Sequence, residues 1–215
     1  MSEQKPKIKK ALTYSDIERR KFKTLEFEGE WLEHLGKPEV TGSMLIFGDS
    51  GHGKTTYALQ LVRYLCQFQK VHINTVEEGV KESFWLSLKR NQMKSVETKF
   101  TFQKEKYDEL VARLRQKRQP KIVVIDSLQY FFRRKNIDHY LDLIQEFPNT
   151  HFIWISHADG SKPKGDLADF IRYDSDNVVF VKDFEADNQK SRYNGRGEKI
   201  INEEEYTIRK FKISN

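Results

Sequence analysis

Residues 48–55 restrict the fold of this chain more than any other segment. They read G-D-S-G-H-G-K-T, an apolar run at 44–47 precedes them, and residues 56–67 carry apolar side chains at helical spacing. A strand, a glycine loop and a helix in this order point backbone N–H groups and a helix N-terminus at one place. The segment matches G-x-x-x-x-G-K-[ST] at every fixed position, which predicts a phosphate-binding P-loop.

The P-loop predicts a nucleoside triphosphate site. Its glycines let the backbone pass close to the phosphates, Lys54 reaches the β- and γ-phosphates, and the Thr55 hydroxyl is a ligand for Mg²⁺. ATP and Mg²⁺ are the expected ligands. The predicted nucleotide-binding residues are Gly48, Asp49, Ser50, Gly51, His52, Gly53, Lys54, Thr55 and Thr56.

Composition indicates a soluble domain. The chain has 215 residues, of which 37% are hydrophobic and 33% charged, enough for one substantial core. No apolar run approaches the roughly 18 residues needed to span a bilayer, and the first residues lack the apolar core of a signal peptide. Cys66 is the single cysteine, so it cannot form an intramolecular disulfide. We therefore expect a cytoplasmic protein without a membrane partner.

Positive charge is concentrated at the N-terminus. Residues 1–24 contain eight basic and three acidic residues, a net charge of +5 out of +6 for the whole chain. This predicts a basic arm at 1–24 and one nucleotide-binding domain at 25–215. The arm is either a solvated tail or a segment that contacts nucleic acid phosphates or a neighbouring subunit. Ser15 and Glu18 could cap a short helix in it, and 25–43 reads as irregular.

The rest of the chain alternates between strand and helix patterns, which predicts an α/β fold with a mainly parallel central sheet and helices on both faces. A polar loop is expected at 158–166, and 186–215 reads as a C-terminal β-hairpin turning at 194–197. The predicted strands are 44–47, 71–74, 99–102, 122–125, 151–156 and 177–182, and the predicted helices are 54–67, 79–92, 104–118, 137–146 and 166–172.

Two strands end in carboxylates. The apolar run 122–125 ends in Asp126, where a P-loop protein places the carboxylate that holds Mg²⁺. Glu77 and Glu78 follow the strand after the P-loop helix, and such positions face the ligand crevice of a parallel sheet. A carboxylate there can take a proton from the water that attacks the γ-phosphate, or it can start the next helix. We predict that Glu77 is the catalytic base and that Glu78 starts the helix.

These motifs resemble the RecA superfamily. The P-loop, Glu77-Glu78-Gly79 and the run 125–129, I-D-S-L-Q, are most similar to its RadA, DnaB and KaiC branches, over about residues 40–200. The resemblance implies a RecA-like P-loop NTPase core that hydrolyses ATP. It also implies a γ-phosphate sensor at the end of the strand after Asp126, either Ser156 or His157, and we choose His157. Alternatively, this histidine only satisfies local hydrogen bonds.

A basic pair near the C-terminus also resembles these branches. The run 190–195, K-S-R-Y-N-G, is similar to runs in DnaB and RadA whose cations point at the ATP of the adjacent subunit. Lys190 and Arg192 could neutralise charge on the γ-phosphate from one strand face. The resemblance therefore implies a homo-oligomer, either a ring or a filament, with ATP between subunits. The alternative is an exposed basic hairpin.

The resemblance further implies two DNA-binding loops, at 129–137 and 158–168. The first has three aromatic residues beside three cations, and the second has two lysines, which suits base stacking and phosphate contact. The aromatics could instead belong to the core, with the cations merely solvated. The predicted DNA-binding residues are Tyr130, Phe132, Arg133, Arg134, Lys135, Lys162 and Lys164.

The sequence thus predicts a DNA-binding, DNA-stimulated ATPase that acts at subunit interfaces as a recombinase or helicase-type motor or as a loader, with single-stranded DNA expected. The alternatives are a KaiC-like regulatory ATPase acting on proteins and a nucleotide-dependent scaffold. Zinc-binding cysteines like those of RadA and a helical N-terminal domain like that of DnaB are missing, so a recombination or replication partner is expected. The predicted catalytic residues are Lys54, Glu77, Asp126, Lys190 and Arg192.

Overall fold

A computed structural model describes residues 10–213, with side chains described to residue 211. The lysines of the predicted arm at positions 5, 7 and 9 lie outside the described residues. Residues 10–23 are almost entirely exposed and include helix α1 (Tyr14–Glu18). Thr13 caps this helix in a reciprocal pair with Asp16, so the cap lies two residues ahead of the predicted pair of Ser15 and Glu18.

The segment 25–43 is more regular than predicted. It contains helix α2 (Gly29–Leu35), which buries Trp31 and Leu35. Leu25 and Phe27 are also buried just before this helix. The helix has only seven residues between Gly29 and Gly36, which is too short for an apolar period to stand out in the sequence.

The predicted mainly parallel sheet is confirmed. Six strands run parallel in the order β3, β2, β4, β5, β1, β7, and two antiparallel strands, β8 and β9, continue the sheet beyond β7. A short strand, β6, pairs with the end of β5. The strands are β1 (Gly42–Gly48), β2 (Val71–Asn74), β3 (Phe100–Gln103), β4 (Ile122–Asp126), β5 (His151–Asp159), β6 (Lys162–Pro163), β7 (Asn177–Lys182), β8 (Glu185–Ser191) and β9 (Glu198–Ile200).

Helices cover both faces of the sheet, because side chains along each buried strand alternate between the faces. In β1, Met44 and Ile46 pack in the core on the side of α2 and α3, whereas Leu45 and Phe47 pack on the side of α5 to α8. The remaining helices are α3 (Lys54–Leu65), α4 (Glu82–Arg90), a 3₁₀ turn (Met93–Val96), α5 (Tyr107–Leu114), α6 (Leu128–Phe131), α7 (Ile137–Glu146), α8 (Asp166–Asp174) and α9 (Glu203–Ile213).

The C-terminal prediction is only partly right. The hairpin of β8 and β9 is present, but residues 203–213 form α9 instead of continuing the hairpin. Most of α9 is exposed, so it lacks the apolar period that marks a packed helix. The polar loop at 158–166 also contains a small hairpin, which turns at Gly160. Within residues 10–213, no helix is long and apolar enough to cross a bilayer.

Candidate functional site

The predicted nucleotide residues meet at the edge of the sheet where the parallel strands end. Gly48 of β1 pairs with His157 of β5, and Asp126 of β4 pairs with Ile155 of β5, so the three strand ends are neighbours. A cavity of about 670 Å³ opens at this edge. Its lining includes P-loop residues 50–51 and 53–56 together with Glu77, Glu78, Asp126 and His157.

Two glycines of the P-loop are required by close contacts. A Cβ atom at Gly48 would lie 2.0 Å from the carbonyl oxygen of Val181 in β7, so no larger residue fits there. Gly53 precedes α3 with a φ of 101°, a left-handed conformation that favours glycine. No side chain caps the N-terminus of α3, so its first N–H groups are free to face an anion from the cavity.

Lys54 lies between the P-loop and the carboxylates of the cavity. Its Nζ donates a hydrogen bond of 2.6 Å to the carbonyl oxygen of Asp49. Burial lowers the pKa of Lys54, while the carboxylates of Asp126, Asp49 and Glu77 act in the opposite direction. The ammonium is therefore placed where it can serve both the phosphates and the acidic wall.

Asp126 sits among negative charges. Burial, with the nearby Glu77 carboxylate as the second cause, raises the pKa of Asp126 to about 7 against the opposing effect of Lys54. A crowded carboxylate of this kind is relieved by a divalent cation, and the Thr55 hydroxyl lines the same cavity. In residues 10–213, no group of three or more His, Cys, Asp or Glu forms a closed metal site. This suits Mg²⁺, which takes few protein ligands and completes its shell with phosphates and water.

The two adjacent glutamates have different neighbours. Glu77 Oε2 lies 3.2 Å from His157 Nε2, and the Glu77 backbone N–H donates to the carbonyl oxygen of Asp126 at 3.1 Å. The Glu78 carboxylate instead accepts a hydrogen bond from the Ser83 hydroxyl, in the first turn of α4. Glu77 is thus directed toward the strand ends, and Glu78 toward the next helix.

Gln129 is a site residue that sequence reasoning missed. Its side-chain amide donates to the Ser156 hydroxyl at 2.7 Å and to the Lys164 carbonyl oxygen at 3.0 Å, and it accepts the His157 backbone N–H at 3.3 Å. Ser156 is fully buried by these contacts, so of the two sensor candidates only His157 faces the cavity. The one available signal was the position of Gln129 in the I-D-S-L-Q run.

The C-terminal third supplies a wall of the cavity that the sequence did not predict. Phe184, Ile201, Asn202 and Glu205 all line it. These residues lie more than a hundred positions after the P-loop, in the turn after β7 and at the start of α9. No motif or spacing connects them to residues 48–56, so only the fold brings them together.

Lys190 and Arg192 lie away from this cavity. Strand β8 runs antiparallel to β7, so Lys190 pairs with Val178 near the opposite edge of the sheet. The Lys190 ammonium donates to the carbonyl oxygens of Tyr173 and Ser175, at the end of α8. The Arg192 side chain is 57% exposed and lies 3.3 Å from the carboxylate of Asp176. Neither side chain lies at the P-loop of its own chain.

The first predicted DNA loop is partly core. Phe132 is only 4% exposed, and its ring packs against those of Trp154 and Tyr107 at centroid distances of 5.6 and 5.9 Å. Its assignment as a DNA-stacking residue is therefore wrong, because the ring is not accessible to a base. Lys135 lies 4.7 Å over the Tyr107 ring and 3.5 Å from the Asp108 carboxylate, so it is engaged within the chain.

The other predicted DNA residues are exposed at the same sheet edge as the P-loop. Tyr130 is 51% exposed, and Arg133 and Arg134 follow it on the surface. Lys162 and Lys164 are exposed on the hairpin of β5 and β6. This hairpin is tied to the site, since the Lys164 N–H donates to the His157 carbonyl oxygen at 2.9 Å.

Comparison with known proteins identifies the class of fold. No protein-family model matches the sequence, and a search of the curated proteins finds no match. Two solved structures are similar to the chain in fold. The first is a KaiC-like protein from the hyperthermophilic archaeon Pyrococcus horikoshii, with a TM-score of 0.56 and 18% identity over 75% of this chain and 84% of that one.

The second solved structure is the ATPase domain of a DnaB-like protein, with a TM-score of 0.58 and 16% identity over 78% of this chain and 83% of that one. These likenesses show that the chain has the RecA-like P-loop ATPase fold of the KaiC and DnaB type. The fold predicted from the sequence motifs is confirmed.

Proposed function

We propose that this chain is a Mg²⁺- and ATP-dependent ATPase. The observation that carries the proposal is the meeting of Lys54, Thr55, Asp126 and Glu77 around one cavity at the carboxyl edge of a RecA-type sheet. An amine, a hydroxyl, a buried carboxylate and a second carboxylate are the groups that phosphoryl transfer to water requires. Residues 48–56 would hold the triphosphate through backbone N–H groups and the start of α3.

Each side chain then has a separate role. Lys54 neutralises the β- and γ-phosphates, while Thr55 and Asp126 hold Mg²⁺, which when bound neutralises phosphate charge. Glu77 accepts a proton from the water whose oxygen bonds to the γ-phosphorus, as the bond to the ADP oxygen breaks. His157, 3.2 Å from Glu77, orients that carboxylate and reports whether a γ-phosphate is present.

The proposed enzyme is a homo-oligomer with ATP between subunits. The P-loop edge carries the carboxylates of Glu77, Glu78 and Asp126, whereas Lys190 and Arg192 are near the opposite edge. An acidic surface and a basic surface at opposite edges of one chain suit head-to-tail assembly, which gives a ring or a filament. In such an assembly the basic pair reaches the nucleotide of its neighbour.

Single-stranded DNA is the proposed polymer partner. The surface that would bind it consists of Tyr130, Arg133 and Arg134 together with the lysines of the hairpin, Lys162 and Lys164. One exposed ring for base stacking and four cations for phosphates suit a binding mode with little sequence preference. We place this activity in cytoplasmic recombination or replication, with a partner protein and with the basic arm 1–24 as a further phosphate contact.

One experiment tests the whole proposal: ATP turnover with and without single-stranded DNA, measured across a range of salt concentrations. We expect turnover that DNA stimulates, with stimulation falling steeply as salt rises, because phosphate contacts release counterions. Lys54→Ala is the control and should abolish hydrolysis. Wild-type turnover in that variant would overturn the site assignment, and turnover indifferent to DNA at every salt concentration would overturn the DNA assignment.

Two features favour a second candidate, a KaiC-like regulatory ATPase that acts on a protein. Burial of Phe131 and Phe132 leaves only one exposed aromatic in the first loop. An exposed apolar group formed by Val80, Trp85 and Leu86 lies next to Glu77 and Glu78, and such patches often bind proteins. Turnover without DNA stimulation supports this candidate, and nucleotide-dependent assembly without turnover supports a scaffold.

A further inference from the structure

The C-terminal helix α9 contacts the P-loop directly. The Arg209 guanidinium donates a hydrogen bond of 3.1 Å to the carbonyl oxygen of Gly51, and its other terminal nitrogen lies 3.7 Å from the carboxylate of Asp183. The guanidinium also covers the Phe184 ring, 5.6 Å from its centroid. One side chain therefore connects α9, the P-loop and the turn between β7 and β8.

That turn holds the next two residues of the P-loop. The Asp183 N–H donates to His52 Nδ1 at 3.0 Å, and the Phe184 N–H donates to the His52 carbonyl oxygen at 3.1 Å. The Phe184 ring packs so closely on Gly53 that a Cβ atom there would lie 3.0 Å from the ring. Three consecutive P-loop residues, 51 to 53, are thus each held by a residue of the C-terminal third.

The start of α9 is anchored to the same elements. The Ile201 N–H donates to the Phe184 carbonyl oxygen at 2.8 Å, and the Gln60 side chain of α3 donates to the Ile201 carbonyl oxygen at 3.0 Å. Glu205 lines the nucleotide cavity, and Arg209 is four residues later on the same face of the helix. The helix therefore lies along the cavity with Arg209 directed at the loop.

We propose that Arg209 is a positioning residue for the P-loop, and that docking of α9 sets the affinity of the site for nucleoside triphosphates. The proposal rests on the proposed function for the identity of the ligand. A loop with glycines at 48, 51 and 53 has a large conformational entropy to lose when it closes on phosphates. Contacts that fix the loop beforehand remove part of this cost from binding.

The test compares Arg209→Ala and Arg209→Lys with Lys210→Ala, which removes the same charge one position later and whose side chain lies 3.3 Å from Glu185. Affinity is measured with a fluorescent ATP analogue, and hydrogen exchange is followed at residues 50–54 in nucleotide-free protein. We expect Arg209→Ala to weaken binding about five-fold and to speed exchange in the loop, because one charge-assisted hydrogen bond is lost. Arg209→Lys should fall between, since an ammonium cannot bridge two acceptors as a guanidinium does.

Unchanged affinity and exchange in Arg209→Ala would overturn the proposal, and so would equal effects of Lys210→Ala. If Arg209→Ala fails to fold, Arg209→Lys and Asp183→Asn carry the same comparison. A wild-type protein that binds no ATP analogue contradicts the proposed function instead. In that case faster loop exchange in the Arg209 variants still supports the positioning role, and unchanged exchange overturns it.

Discussion

His157 Nε2 lies 3.2 Å from Glu77 Oε2, although the two residues are 80 positions apart in the chain. The contact joins the carboxyl end of β5 to the loop after β2, across the end of β4. It forms because all three strands are parallel and therefore release their next residues at one edge. The histidine so holds the proposed base beside Asp126, where an attacking water would be activated.

We predict that Glu77→Gln binds ATP but lowers kcat at least about 100-fold, because an amide cannot accept the proton of the attacking water. Glu78→Gln is the matched control, since the same change is made one residue away on a side chain bonded to Ser83. Single-turnover hydrolysis and equilibrium binding separate the two steps. A loss of kcat in Glu78→Gln with normal turnover in Glu77→Gln would assign the base to the wrong glutamate.

Most of the sheet was predictable because its strands are buried on both faces. Residues 122–125 and 44–47 are continuous apolar runs, and the turn chemistry around them marks their ends. The P-loop, Asp126 and the glutamates at 77 and 78 were predictable for a related reason: each directly follows such a strand. Local pattern and the geometry of parallel sheets together bring them to one edge.

The elements that were missed lack a local signal. Helix α9 is exposed and highly charged, so its sequence has no apolar period, and helix α2 is too short to show one. Phe132 was misassigned because an aromatic beside cations reads the same on a surface as at the border of a core. Its burial depends on Trp154 and Tyr140, residues that only the tertiary fold brings close.

Burial of Phe132 predicts a stability effect that separates it from its neighbour Tyr130. Phe132→Ala should lower the free energy of unfolding by about 3–5 kcal/mol, because it leaves a cavity among aromatic rings. Tyr130→Ala should change stability by less than about 0.5 kcal/mol, because its ring is half exposed. Urea unfolding measures both. A stable Phe132→Ala protein that loses affinity for single-stranded DNA would restore Phe132 to the binding surface.

Gln129 predicts a coupling effect. Its amide connects the His157 backbone to the hairpin that carries Lys164, so Gln129→Ala removes three hydrogen bonds between the nucleotide edge and that hairpin. We expect turnover without DNA to persist while stimulation by single-stranded DNA is lost. Gln145→Ala, an exposed position on α7, is the control. Full stimulation in Gln129→Ala would show that the hairpin communicates with the site by another route.

The position of Lys190 and Arg192 near the opposite sheet edge predicts complementation between subunits. Lys54→Ala and Arg192→Ala homo-oligomers should each be inactive, because each lacks one half of every site. Mixed in equal amounts they should regain activity, since roughly a quarter of head-to-tail interfaces in a random mixture combine an intact P-loop with an intact arginine.

The matched control is a mixture of Lys54→Ala with Glu77→Gln. Both changes lie on the P-loop side of the interface, so no mixed interface is complete and no activity should return. Native mass spectrometry verifies that subunits exchange in both mixtures. Mixed oligomers of Lys54→Ala and Arg192→Ala that stay inactive would leave Arg192 as a partner of Asp176 alone, 3.3 Å away within its own subunit.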